Sequence, residues 1–226
     1  MRRILLTSSG LFMISNNIDP LLPKKISDCR IAYITTAAKE VDDISYVTRQ
    51  KKEMDAKGLN YTEMDIESRS KREIEVMLSG YDVVMIEGGN TFYLLRAVRE
   101  SRFDKVIKKM IHNGVVYIGS SAGSYIACPS IIMATWSGRG FDRCGITHYE
   151  AMDLVPIYIK AHYSPDMKAL LDDKVASLDG PLYALTDRQA IWVCDDQIEL
   201  LGEGEEMVWN SLIDNEIERT KEDESE

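Results

Sequence analysis

Val115-Val116-Tyr117-Ile118-Gly119-Ser120-Ser121-Ala122-Gly123 joins a short apolar run to a Gly-x-Ser-x-Gly pentapeptide. The run is β-branched and aromatic and is apolar at consecutive positions, which predicts a strand buried on both faces. Residues 122–127 can begin a helix directly after it, so the stretch reads as strand, tight turn and helix. Gly119 and Gly123 remove side chains where such a turn crowds the backbone. Ser121 can then be held in a strained conformation at the carboxyl end of a central strand.

Working outward, runs of the same kind recur at residues 4–7, 31–35 and 83–86, with helical patterns between them. That alternation predicts an α/β fold with a mostly parallel central sheet and helices on both faces. Ser70-Lys71-Arg72-Glu73 has the spacing of a capping box and Gly80 follows the last periodic residue, so a helix is expected over 70–79. Further helices are expected over 41–57, ending at Gly58, and over 101–112, ending at Asn113-Gly114. Past residue 180 the β runs come closer together, at 182–186, 190–194 and 197–201. The last two flank Asp195-Asp196 and predict a C-terminal β-hairpin. No repeat or low-complexity linker divides the chain, which reads as a single domain over 1–213. Residues 137–149 form the longest stretch without a clear period and are expected to be a loop near the site.

The charge is 27 basic against 37 acidic residues, −10 overall, which disfavours nucleic acid and anionic membranes as main partners. Half of it lies in residues 214–226, an acidic stretch expected to be a solvated tail. Cys29, Cys128, Cys144 and Cys194 form no Cys-x-x-Cys pair, so neither a zinc site nor a disulfide scaffold is indicated. The apolar run after Arg2-Arg3 is too short for a signal-peptide core, and no stretch approaches the length of a membrane span. A soluble cytoplasmic protein is the expectation.

A serine hydroxyl needs a base within hydrogen-bond reach before it can attack. Of the three histidines, His112 belongs to a helix end, where its charge suits the helix dipole. His148 lies in the glycine-containing loop. His162 follows residues 154–159, where a strand would deliver it to the sheet edge that carries Ser121, and it is the favoured base, with His148 the competitor. The base needs an acid to fix its tautomer. Asp187, just past the 182–186 run, is chosen ahead of Asp142 and Asp153. Ser120 competes with Ser121 as nucleophile, but only Ser121 is central in the pentapeptide. The amide of Ala122, opening the new helix, can donate to a developing oxyanion. A second donor can come from Glu87-Gly88-Gly89-Asn90-Thr91, where Asn90 can also cap the next helix. That segment lacks the Gly-Lys-Ser/Thr ending of a phosphate-binding loop. Asn90 is carried as a candidate substrate contact, and Arg139, Arg143 and Lys160 as candidate partners for an acidic substrate group.

Three blocks together, Gly88-Gly89-Asn90-Thr91-Phe92-Tyr93-Leu94-Leu95, Tyr117 to Gly123 continuing to Ala127-Cys128-Pro129, and Ala161-His162-Tyr163, resemble the peptidase E family of serine peptidases, the aspartyl dipeptidases. The resemblance implies a flavodoxin-like fold similar to class I glutamine amidotransferases. It places the nucleophile on Ser121, the histidine on His162, the oxyanion amides on Gly89 and Ala122, and a later acid on Asp187. An aspartate of the family a short way after the nucleophile falls on Trp136 here, so the pocket is expected to differ from that of the best-known members. The implied reaction is hydrolysis of short peptides through an acyl-enzyme, with an N-terminal Asp as one substrate preference and no metal or organic cofactor. A cyanophycinase-like β-aspartyl peptidase and a non-catalytic binding member of the fold are the alternatives. A homo-oligomer is compatible with the sequence.

Overall fold

The computed structural model describes residues 1–136 and 142–210. Its strands are β1 (Arg3–Thr7), β2 (Arg30–Ile34), β3 (Asn60–Met64), β4 (Val83–Ile86), β5 (Val116–Ser120), β6 (Tyr158–Lys160), β7 (Leu182–Ala184), β8 (Gln189–Cys194), β9 (Gln197–Gly202) and β10 (Met207–Trp209). Its α-helices are α1 (Leu11–Ser15), α2 (Ser45–Ala56), α3 (Lys71–Met77), α4 (Thr91–Ser101), α5 (Phe103–His112), α6 (Ala122–Tyr125) and α7 (Lys168–Lys174). The main sheet has the order β3-β2-β4-β5-β1-β8-β9. Its first five strands are parallel, and β8 and β9 continue it antiparallel as a hairpin.

Successive side chains of a strand point to opposite faces, and here both faces are apolar. Ile4, Leu6, Ala32, Ile34, Val84, Ile86 and Tyr117 enter one core with residues of α3 to α7. Leu5, Ile31, Tyr33, Val83, Met85, Val116 and Ile118 enter the other with Phe12 and Met13 of α1 and Val47 and Met54 of α2. Burial on both sides is why these runs are continuously apolar. It is also why the α/β reading, with helices on both faces, holds.

The helix punctuation holds where a local rule set it. Ser70 Oγ accepts from the Glu73 amide at 3.3 Å, and the Glu73 carboxylate accepts from the Ser70 amide at 2.8 Å. The helix expected over 101–112 differs. Arg102 takes a left-handed conformation, φ 60°, and separates α4 from α5. The strand expected over 154–159 also differs. The amides of Met152 and Leu154 donate to the carbonyls of Ile126 and Ala127, which ties this segment to the end of α6. Only β6 (Tyr158–Lys160) remains extended, and it joins a second sheet of order β10-β7-β6 rather than the edge of the main one. The 182–186 run shortens to β7, because the Thr186 amide turns to the Gln189 side chain. Half-exposed β3 and the short β10 carry too little apolar pattern to be read from sequence. Among the described residues no helix is long and apolar enough to cross a membrane. The acidic tail lies outside the described residues.

Between β5 and α6 the chain passes so close to β4 that a side chain at Gly123 would place its Cβ 2.3 Å from the Ile86 carbonyl oxygen. Gly123→Ala is therefore expected to destabilise the fold by about 1–3 kcal/mol, read as a lowered midpoint in urea. An unchanged midpoint would show that the turn yields freely.

Candidate active site

Strand β5 is the middle strand of the main sheet, so Ser121 emerges at the centre of the edge formed by the carboxyl ends of the parallel strands. That is where open α/β sheets offer crevices to ligands. Its backbone lies at φ 48°, ψ −104°, a region that costs a non-glycine residue about 1–3 kcal/mol. Three hydrogen bonds hold it there. The Ser121 amide donates to the Thr7 carbonyl at 3.0 Å, and its carbonyl accepts from the amides of Ser124 and Tyr125 at 2.9 and 3.0 Å. The helix that follows is a single turn, shorter than the sequence suggests, so the amides of that turn matter here rather than a long helix dipole.

His162 follows β6, and its Nε2 lies 3.1 Å from Ser121 Oγ. Its Nδ1 lies 2.6 Å from Asp187 Oδ1. An ionised carboxylate only accepts, so Nδ1 donates to Asp187; in the neutral imidazole Nε2 is then the acceptor that faces the serine hydroxyl. Asp187 sits in the turn between β7 and β8. Ser8, just past β1, ties the arrangement together. Its hydroxyl donates to Asp187 Oδ1 at 2.9 Å and accepts from the His162 amide at 2.7 Å. The sequence reading passed over Ser8. The signal was there in a small polar residue directly after a buried strand beside β5, but nothing in its own neighbourhood marks it.

The Gly89 and Ala122 amides have no acceptor among the described residues. Ala122 follows Ser121 directly, and Gly89, in the loop after β4, lines a cavity with Ser121. Gly89 has φ 141°, and a Cβ there would lie 2.3 Å from the Ala37 carbonyl oxygen, so only glycine fits this turn. Asn90 caps α4, its Oδ1 accepting from the Tyr93 amide at 3.0 Å, and it also lines the cavity beside Ser121. This cavity, about 350 Å³, is lined by Glu40, Asp42, Thr91, Tyr125, Arg143 and Lys160, two acids and two bases among them. Lys160 is buried, its Nζ 3.5 Å from the Tyr125 hydroxyl. A second cavity of about 440 Å³ shares Gly89, Ser121 and His162 with the first and is lined in part by Ser8, Tyr46, Arg49 and Glu87.

The other candidates lie elsewhere. His148 is exposed, and its carbonyl accepts from Arg99. His112 ends α5 and lines a separate cavity with Arg2 and Asp153. Asp142 accepts from the Cys144 amide. Trp136 packs against the core. Arg139 lies outside the described residues. Among the described residues no group of three or more His, Cys, Asp or Glu side chains could hold a metal ion.

Known proteins resemble the chain over nearly this whole arrangement. An uncharacterized peptidase of Listeria monocytogenes, Lmo0363, is 30% identical over 199 residues, 85% of this chain and 95% of that protein. Peptidase E of Nostoc sp. is 26% identical over 170 residues, 72% of this chain and 66% of its own length. The crystal structure of a candidate peptidase E protein from Listeria monocytogenes EGD-e superposes with a TM-score of 0.77 at 27% identity, over 90% of this chain and all of that one. A peptidase from an acI-B1 Actinobacterium shares the fold at 13% identity, with a TM-score of 0.66 over 94% of this chain and 95% of its own. The sequence model of peptidase family S51 matches residues 4–201, from β1 into β9 and so across every element that meets at Ser121; the chain belongs to that family and is a peptidase.

Proposed function

We propose that the chain hydrolyses short peptides by acyl transfer to Ser121, with His162 as general base and Asp187 as its orienter. The observation that carries this reading is the continuous hydrogen-bonded line from Asp187 Oδ1 through His162 to Ser121 Oγ, at 2.6 and 3.1 Å. As Ser121 Oγ attacks the scissile carbonyl carbon, its proton passes to His162 Nε2. The carbonyl oxygen, now negative, is met by the Gly89 and Ala122 amides, which hold no other acceptor among the described residues. His162 gives its proton to the leaving amine as the carbon–nitrogen bond breaks. A water then loses a proton to His162 Nε2 as it attacks the acyl carbon, and Nε2 returns that proton to Ser121 Oγ as the ester bond breaks and the acid is released.

An acidic residue at the amino end of the substrate would be met by Lys160 and Arg143, which line the cavity beside Ser121 together with Glu40 and Asp42. Lys160 is the buried one of the two bases, and attraction to a carboxylate is strong at low effective dielectric.

Reaction of the purified protein with a fluorophosphonate is expected to place one adduct on Ser121, located by peptide mass spectrometry, and His162→Ala is expected to lose it. Ser121→Ala should abolish dipeptide turnover while leaving the unfolding curve in place. Wild-type-like hydrolysis by that variant would end the assignment. For Asp187→Asn a fall in kcat of about four orders of magnitude is expected, as when a triad orienter is replaced and the histidine adopts the wrong tautomer. An unchanged rate would remove Asp187 from the mechanism. In a panel of Asp-X and Ala-X dipeptides, Lys160→Met is expected to raise KM for Asp-X selectively, and equal effects on the two series would refute the acidic preference.

A further inference from the structure

Glu87 is a buried carboxylate that the reaction above does not use. It follows β4 directly, is 3% exposed, and forms no ion pair among the described residues. Burial of a carboxylate without a cation is costly unless its oxygens are satisfied by hydrogen bonds. Two donors satisfy it. The Tyr33 hydroxyl, from β2, donates to Oε2 at 2.6 Å. The Gly88 amide donates to Oε1 at 2.8 Å. Ser120 lies next to Glu87 across the β4–β5 pairing, one residue past the Ile86–Gly119 pair. Burial pushes the Glu87 carboxyl above its usual range, and hydrogen bonding from Tyr33 and Gly88, with the nearby Ser120 hydroxyl, opposes that rise.

The neighbours of the carboxylate give it its meaning. Gly88 immediately precedes Gly89, whose amide faces the oxyanion position on the reading above, and Ser120 immediately precedes Ser121. A Cβ on Gly88 would stand 3.2 Å from Ser121 Cβ, so the two segments are in direct contact. Tyr46 of α2 reinforces the same loop, its hydroxyl donating to the Gly88 carbonyl at 3.1 Å. Ser120, a competing nucleophile in the sequence, is 2% exposed.

The geometry points to Glu87 as a positioning residue that clamps the oxyanion loop to the nucleophile turn, fixing the distance between the Gly89 amide and Ser121 Oγ. The inference rests on the serine-peptidase reading. The contact the clamp prepares, from the Gly89 amide to the oxyanion, forms only with the tetrahedral intermediate, so loosening the clamp raises the barrier and leaves ground-state substrate binding alone. A misplacement of about 1 Å in such a constellation costs about 100-fold in rate.

The test measures kcat and KM per fluorophosphonate-labelled site, so that partial misfolding is divided out. Glu87→Leu keeps the volume and removes the acceptor; kcat per labelled site is expected to fall about 100-fold, with KM within about threefold. Glu87→Gln still offers a carbonyl oxygen to the Gly88 amide, and the Tyr33 hydroxyl can accept from its amide group. It is expected to recover to within about tenfold of wild type. Should Glu87→Leu fail to fold, Tyr33→Phe removes one donor to the carboxylate and is expected to lower kcat about tenfold at constant KM. Wild-type kcat in Glu87→Leu, or in Tyr33→Phe, overturns the clamp, as does Glu87→Gln being as slow as Glu87→Leu. A wild-type protein that neither labels at Ser121 nor cleaves peptides instead overturns the peptidase mechanism, and the clamp with it.

Discussion

A non-glycine backbone at φ 48°, ψ −104° relaxes unless its neighbours forbid every alternative. At Ser121 they do. The Thr7 carbonyl takes its amide, and the first turn of α6 takes its carbonyl. Gly123 is pressed onto the Ile86 carbonyl, where no side chain fits. These three constraints come from three adjacent parallel strands, β1, β5 and β4, whose register is set by runs of pairs such as Leu6 with Gly119 and Ile86 with Gly119. The serine hydroxyl is thus aimed by the sheet. The strain is supplied by the fold's overall stability, which is why every residue flanking the turn is buried.

The remaining parts arrive from elements that share little else. His162 comes from the second sheet, through β6, and Asp187 from the turn that returns the chain from β7 of that sheet to β8 of the main one. Two small structures that merely touched would leave the histidine loose. Ser8 removes that freedom, because one hydroxyl fixes both the backbone of His162 and the carboxylate of Asp187. His162 itself has φ 57°, a second strained position within hydrogen-bond reach of the first.

Much of this was legible in the sequence because local rules decided it. The four buried runs, the capping box at Ser70 and the hairpin across Asp195-Asp196 each carry their own signature within a few residues. Ser121, His162 and Asp187 were singled out one by one, by motif and position, and the structure brings the three together. The route by which His162 arrives was misjudged. The apolar run at 154–159 has the composition of a strand, yet the free carbonyls at the end of α6 compete for its amides and win. Glu87 and Ser8 were invisible as participants. Apart from the adjacent Gly88 amide, their partners are tens to more than a hundred residues away, and Glu87 carries no local sign of its role although it opens the glycine segment after β4.

The acid behind the histidine shows how far geometry constrains chemistry. The side chains of Asp187 and His162 are 55% and 40% exposed, so water screens their attraction and the pair contributes little as a salt bridge. On the proposed mechanism its value is directional. Oδ1 accepts from both Ser8 and His162 Nδ1, and that leaves Nε2 without a proton and facing Ser121. A group that acts by direction can come from any element able to present an oxygen at that point. Trp136, where the family resemblance places an aspartate, is partly buried against the core and presents none, and the turn after β7 presents one with its orientation already fixed.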